Sequence, residues 1–314
     1  MELIRDGRRF PRAFSRSSVA LGNFDGVHVG HRALIGRMAA QAARDGGDAV
    51  VYTFEPHPVR FFFPERPPFL LTTLEQKLEL LEAAGVRTVI VATFDADYAS
   101  QTPDTFARDV LAGGLAARAV VIGYDFTFGR GRAGNPEVLV TLGRTYGFGV
   151  EVLPPVTVGG EPVSSSRIRK AVAAGAVEEA SHLLGRPFAI RGRVVEGRRR
   201  GAAQLGFPTA NIESENEVRP AGGVYAAWVR ILGAADRAER QNPAAVNIGT
   251  APTFGGGRAT TVEAHLLDFT GSLYGERLEV AFVGRLREER TFPDPGALKA
   301  QIAADVAAVR ARLA

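Results

Sequence analysis

Cysteine is absent from the 314 residues, which excludes disulfides and thiolate chemistry and fits a cytoplasmic protein. Lysine is scarce: Lys77, Lys170 and Lys299 are the only ones, and no Gly-Lys-Ser/Thr occurs, so a Walker-type phosphate loop is excluded. No apolar run approaches the ~20 residues of a membrane span. The opening Met1-Glu2-Leu3-Ile4-Arg5-Asp6-Gly7-Arg8-Arg9 is too charged and broken for a secretory signal. The net charge of +4 is carried almost wholly by arginine and suits nucleic acid and anionic small molecules alike. The arginines are scattered, however, without the interleaved aromatics that stack bases, which speaks against a nucleic-acid partner.

What is present begins with Gly22-Asn23-Phe24-Asp25-Gly26-Val27-His28-Val29-Gly30-His31. The apolar run Val19-Ala20-Leu21 precedes it and a helix-like stretch, Arg32 to Arg44, follows. Backbone N–H groups at a helix start attract anions, and glycine lets the backbone approach a phosphate closely. His28 and His31 add two donors that can carry positive charge near neutral pH. Together they suit a nucleotide's phosphates and the charge that develops when one is attacked. The alternatives are a zinc pair or two structural histidines, but zinc usually recruits cysteine or further histidine.

Hydrophobic content of 46% and charged content of 23% are ordinary for a globular chain, and the length allows two domains. In the first half, strand-like runs at Val19–Leu21, Ala49–Phe54, Thr88–Phe94, Ala119–Gly123 and Val150–Leu153 alternate with helical segments. Thr73-Leu74-Glu75-Gln76 reads as a capping box whose helix closes at Ala84-Gly85. Thr102-Pro103 and Asn135-Pro136 each place a cap before a first-turn proline. The alternation predicts a parallel sheet covered on both faces, with ligands bound beyond its carboxyl ends. On this reading the histidine motif follows the first strand.

The pattern changes around Gly185-Arg186-Pro187, which divides the chain into domains 1–185 and 186–314. Short β-patterned runs follow at Ala189–Val195, Val224–Ile231, Ala244–Ile248, Thr261–Phe269 and Leu278–Leu286, separated by turns such as Gly255-Gly256-Gly257. They predict an antiparallel barrel or sandwich. A last helix, Pro295 to Leu313, would pack Leu298, Ile302, Val306 and Val309 on it.

Further segments carry possible chemistry. Gly123-Tyr124-Asp125-Phe126-Thr127-Phe128-Gly129-Arg130-Gly131-Arg132 is either a loop for a planar ring and phosphates or a buried aromatic turn with solvated arginines. In Val163-Ser164-Ser165-Ser166-Arg167-Ile168-Arg169, serines cap a helix and two arginines can clamp phosphate. Phe54-Glu55-Pro56-His57-Pro58 is a rigid strand end with no chemical step assigned. Gly197-Arg198-Arg199-Arg200-Gly201 is a phosphate loop or a solvated charge run. In Leu205-Gly206-Phe207-Pro208-Thr209-Ala210-Asn211, Thr209 and Asn211 share one face of an extended strand and offer hard oxygen ligands for Mg²⁺. Glu263 shares a face with Thr261 and His265, and that face points into a barrel wall or outward.

These motifs, in this order over nearly the whole chain, resemble the bifunctional riboflavin kinase/FMN adenylyltransferases, the prokaryotic FAD synthetase family. Gly22 to His31 resembles its His-x-Gly-His signature, and Gly123 to Gly129 its loop after the fourth strand. Val163 to Arg169 resembles its Ile-Ser-Ser-Thr-x-x-Arg segment, with Ser166 in place of Thr. Gly206 to Asn211 resembles Gly-Phe-Pro-Thr-Ala-Asn of riboflavin kinases; Gly201 to Leu205 is a residue longer than usual and lacks the familiar Arg. The resemblance implies an α/β Rossmann-like nucleotidyltransferase domain with a parallel sheet, then a six-stranded antiparallel β-barrel kinase domain with a C-terminal helix. It implies catalysis by Glu263, His28 and His31, and nucleotide or flavin binding by Gly22, Asn23, Phe24, Asp25, Gly30, Gly123, Asp125, Phe128, Ser165, Ser166, Arg169, Gly206 and Pro208. It further implies Mg²⁺ on Thr209 and Asn211, and ATP, riboflavin and FMN as substrates. The two reactions differ in what they require. A neutral ribityl hydroxyl needs a general base, for which Glu263 is the candidate, whereas the FMN phosphate is already an anionic nucleophile and needs positive charge around the α-phosphate instead. The competing readings are a His-x-Gly-His nucleotidyltransferase with another phosphorylated acceptor, and a flavin-sensing or RNA-binding protein.

Overall fold

Runs of β-branched and aliphatic residues between capped amphipathic segments build the first half. The computed structural model describes residues 1–7, 10–65, 69–196, 206–233, 240–252 and 258–314. Along the chain come β1 (Glu2–Arg5), β2 (Ser17–Leu21), α1 (Val29–Asp45), β3 (Ala49–Glu55), α2 (Pro58–Phe62), α3 (Leu74–Ala83) and β4 (Thr88–Thr93). They are followed by α4 (Ala96–Ser100), α5 (Pro103–Thr105), a wide-turn helix over Phe106–Gly114, β5 (Ala117–Gly123), α6 (Pro136–Tyr146) and β6 (Gly149–Leu153). A small hairpin, β7 (Thr157–Val158) and β8 (Glu161–Pro162), ends this half. Thr102 and Asn135 cap α5 and α6 as the sequence predicts.

The six long strands form one parallel sheet in the order β1-β4-β3-β2-β5-β6. Alternate residues feed two cores on opposite faces: Val19, Leu21, Val50 and Val120 on one, Ala20, Val51, Val89 and Val121 on the other. The chain runs from β2 through β3 to β4 on one side and resumes with β5 on the other side of β2. Strand order therefore reverses between β2 and β5, where sheets of this kind place their ligands. One expectation is corrected here. The histidine motif follows the second strand and the Gly123 loop the fifth, because β1 precedes them. Only Ile4 of that charged edge strand is buried, so its sequence carries almost no apolar signal.

The second half contributes α7 (Ser165–Ala173), α8 (Val177–Leu184), β9 (Phe188–Val195), β10 (Ala210–Ser214), β11 (Gly223–Leu232), β12 (Gln241–Pro252), β13 (Arg258–Leu266), β14 (Arg277–Arg287) and α9 (Pro295–Leu313). The strands close a six-stranded antiparallel barrel in the order β10-β13-β12-β11-β14-β9. Of the open alternatives, barrel rather than sandwich is the structure. Strict alternation sends Val262, Ala264 and Leu266 inward, as it does Leu278, Val280 and Phe282. Val306, Val309 and Leu313 of α9 pack with Ala226 and Leu267, while Leu298 and Ile302 are only half-buried. The helix also buries Asp305, whose carboxylate pairs with Arg287 at 2.8 Å.

The chain divides into two compact units: Met1–Pro68 with Leu74–Ser164, and Phe69–Thr73 with Ser165–Ala314. In the second, Asn216 is nearly fully buried, accepts the Arg191 N–H at 2.8 Å and donates to the Leu71 carbonyl at 3.2 Å. Among the described residues, no helix is long and apolar enough to cross a membrane.

Two candidate active sites

In the first unit, β2 is wholly buried and ends at Leu21, so the turn after it starts from a fixed point. The Gly22 N–H donates to the Tyr52 carbonyl at 3.2 Å, and the Thr53 hydroxyl donates to the Asn23 carbonyl at 3.1 Å. The backbone then adopts positive φ at Phe24 (52°), Gly26 (81°) and Val27 (40°). For a β-branched residue such as Val27 that conformation costs on the order of 1–3 kcal/mol. Phe24 and Val27 are completely buried, and burying each contributes about as much in the other direction. The strained shape is thus held by apolar anchoring.

His28 is the N-cap of α1: its Nδ1 accepts the His31 backbone N–H at 3.2 Å. Nδ1 is therefore unprotonated in this arrangement, and the neutral ring carries its proton on Nε2. Gly30 lies against that ring, since a Cβ there would stand 3.2 Å from it. The His28 and His31 rings stack with centroids 3.6 Å apart, and Phe24 packs on His31 at 5.1 Å. Although part of His31 reaches the surface, its Nδ1 is buried and has no hydrogen-bond partner among the described residues. Burial first, and then the neighbouring His28 and Lys77, hold His31 well below the usual histidine range. Of the two rings expected to be able to carry positive charge, His31 is therefore biased toward the neutral form. The positive end of α1 and the buried ammonium of Lys77 supply the local charge.

From neighbouring β5 the chain leaves through Gly123. A Cβ at Gly123 would lie 3.3 Å from Asp125, so the two residues are in close approach. Asp125 and Tyr124 are exposed, while Phe126 and Phe128 stack and pack against the core. The loop therefore combines both readings, an anchored aromatic turn with a polar exposed rim. Phe54-Glu55-Pro56-His57-Pro58 leads into α2, whose N-cap is His57, accepting the Val59 N–H at 3.2 Å. Exposed Phe61 and Phe62 pack edge-on against Phe94 there. The sequence reading passed over these rings; their signal was the run Phe61-Phe62-Phe63, too apolar for an exposed segment.

Ser165 and Ser166 open α7, and the Arg169 Nε donates to the Phe69 carbonyl at 2.7 Å. These residues all belong to the second unit.

The barrel carries the other constellation on its outer face. Because Val262, Ala264 and Leu266 fill the interior, Thr261, Glu263 and His265 face away from it. Glu263 pairs with Asn211 on β10 and with Asn247 on β12, so the three side chains form one row across three strands. Asn247 was not anticipated, since only strand register identifies it. Burial, and secondarily Glu289, push the Glu263 carboxyl above the usual carboxylate range. Gly249 keeps room nearby: a Cβ there would meet Glu289, Thr261 and Asn247 within 3.3 Å. Gly206 has φ 88°, which favours glycine. The Pro208 carbonyl beyond it accepts from His265 Nδ1 at 2.8 Å, and Phe207 packs edge-on to the same ring. His265 thus braces the turn that delivers Thr209 and Asn211, a role not read from the sequence.

Thr209 and Asn211 are neutral oxygen donors, and among the described residues no cluster of three or more His, Asp or Glu could hold a metal. A small hard cation that takes one or two protein ligands and completes its shell with phosphates and water fits that donor set. The segments Gly197–Gly201 and Gly201–Leu205, and Gly255–Gly257, lie outside the described residues.

Residues 11–167 match the FAD synthetase family and residues 184–313 the riboflavin kinase family. The bifunctional riboflavin kinase/FMN adenylyltransferase of Escherichia coli K12 is 39% identical over 306 residues, covering 97% of this chain and 96% of that protein. That of Pseudomonas fluorescens is 41% identical over 312 residues, covering 99% and 97%. A crystal structure described as a macrolide-efflux protein from Streptococcus pneumoniae has a TM-score of 0.86 at 30% identity, covering 99% of both chains.

Proposed function

This chain belongs to the bifunctional riboflavin kinase/FMN adenylyltransferase family, and we propose that the Gly22–His31 turn carries its adenylyl transfer and the Asn211–Glu263 row its kinase step. It is an enzyme of FAD synthesis that phosphorylates riboflavin and adenylylates FMN. In the kinase step, Glu263 takes the proton of the ribityl hydroxyl as its oxygen attacks the γ-phosphorus of ATP and ADP leaves. Burial raises the affinity of that carboxylate for the proton it accepts. Thr209 and Asn211 are the residues we assign to Mg²⁺, which when bound neutralises phosphate charge.

In the second step an FMN phosphate oxygen attacks the α-phosphorus of ATP and pyrophosphate departs. The nucleophile is already anionic, so no base is required. The His28 Nε2–H, the His31 ring and the N-terminus of α1 receive the phosphate charge. Phe61 and Phe62, packed on Phe94, offer an apolar surface for a flat ring, and Asp125 and Phe128 of the loop after β5 are assigned to nucleotide or flavin binding. Within the second unit, Ser165, Ser166 and Arg169 at the start of α7 are assigned to phosphate binding. We place the enzyme in the cytoplasm, acting on small molecules without a nucleic-acid or membrane partner.

The distribution of chemical equipment carries this reading: a base-strength carboxylate aligned with neutral oxygen donors on the barrel, and a stacked histidine pair at a helix start in the sheet unit. Incubating the purified protein with riboflavin, ATP and Mg²⁺ and separating products by chromatography tests it. FMN and FAD are expected; another adduct, or none, overturns the assignment.

A further inference from the structure

Lys77 sits on α3 with only 7% of its surface exposed. Its Nζ lies 3.4 Å from the Asn23 carbonyl oxygen and 3.5 Å from the Thr53 hydroxyl. Thr53, itself fully buried, donates to the same carbonyl. The ammonium and the hydroxyl therefore converge on one backbone oxygen within the strained turn. A buried ammonium is costly unless it is paired or used. Here burial lowers the Lys77 pKa, while Glu55 at the end of β3 and Asp25 in the turn act to raise it. Filling that slot needs no charge, since an unbranched apolar side chain such as methionine has similar reach.

We propose that Lys77 is a positioning residue for adenylyl transfer: its ammonium holds the Asn23 carbonyl and the Thr53 hydroxyl under the glycine-rich turn and keeps a fixed positive charge near the His28–His31 pair. This rests on the assignment of that turn to adenylyl transfer. Asn23 stands between the buried strand and the positive-φ residues, so releasing its carbonyl loosens the base of the segment that places His28. Displacement of catalytic groups by about 1 Å costs ~10²-fold in rate. The charge also acts on His31, on which His28 stacks and Phe24 packs from the turn.

The test compares Lys77→Met, Lys77→Gln and Lys77→Arg in the full chain. FAD formation from FMN and ATP gives kcat and KM, and riboflavin phosphorylation is assayed in the same preparations. Met and Gln should lower kcat for FAD formation ~10²-fold, with phosphorylation unchanged and a folded circular dichroism spectrum. Arg retains the charge and should be the fastest of the three; a role limited to volume would make this bulkiest side chain the slowest. The His31 imidazole, followed by NMR, should titrate at higher pH in Met and Gln than in the wild type, because a neighbouring positive charge is gone. A folded Met or Gln variant with wild-type kcat overturns the proposal, as does loss of fold in all three, which would make Lys77 a stability residue. His31→Ala runs alongside. If it leaves FAD formation intact, the assignment of the turn itself fails; if it abolishes FAD formation and the Lys77 variants do not, only the Lys77 inference fails.

Discussion

Asn211 stands directly opposite Glu263 in the β10–β13 ladder. Residues so paired have Cβ atoms about 4.5–5.5 Å apart and share a face. An amide that can contact a cation and a carboxylate that can accept a proton are thereby held side by side by backbone hydrogen bonds, not by flexible side-chain contacts.

Replacing Glu263 with Gln keeps the shape of the row and removes the base. Riboflavin phosphorylation should fall by ~10²–10⁴-fold, while FAD synthesis from supplied FMN persists. Near-normal phosphorylation would reduce Glu263 to a polar strand position.

The pH profile of the kinase step should show the same group. A base works only when deprotonated, and burial together with Glu289 favours the protonated form. Activity should therefore be lost as pH falls through a value above the usual carboxylate range. In Glu289→Gln this acid limb should move to lower pH. An unchanged limb would mean that Glu289 does not act on Glu263.

His28→Ala and His31→Ala should each lower FAD formation by ~10²–10³-fold and leave FMN formation nearly unchanged. His28→Ala also removes the cap of α1, so circular dichroism and thermal unfolding must accompany its kinetics. Equal loss of both activities in a folded variant would show that the pair does not belong to one site.

Asn216→Ala leaves the buried Arg191 N–H without its acceptor and should cost about 1–3 kcal/mol. Guanidinium unfolding followed by Trp228, the only tryptophan and a residue of β11, reads this out. The domains proposed from sequence, 1–185 and 186–314, meet the same chemistry. A kinase fragment starting at Arg186 lacks α7 and α8, including Glu178, which accepts from the Arg285 N–H and the Arg312 guanidinium. It should retain phosphorylation but unfold at lower denaturant than a fragment starting at Ser165. Equal midpoints would show that the two helices add nothing to the barrel.

Local chemistry made much of this protein legible in its residues. Glycines and histidines between an apolar run and a helical one mark a candidate phosphate-binding turn, and alternation of period two or 3.6 separates a sheet half from a barrel half. Gly206 to Asn211 announces its oxygen donors because they are two residues apart on an extended segment. Other features depend on partners far away in the chain. Whether Glu263 faces in or out, and that Asn247 stands beside it, follows from strand register, which no single strand contains. The lowered proton affinity of His31 arises from burial and, among its other causes, from Lys77, 46 positions later. Phe69–Thr73 lies in the first half of the sequence yet folds with the second unit, since the Leu71 carbonyl finds its donor in Asn216. Spacing along a chain specifies which groups can share a face; only packing decides which faces meet, what is desolvated, and hence which of those groups carries a charge.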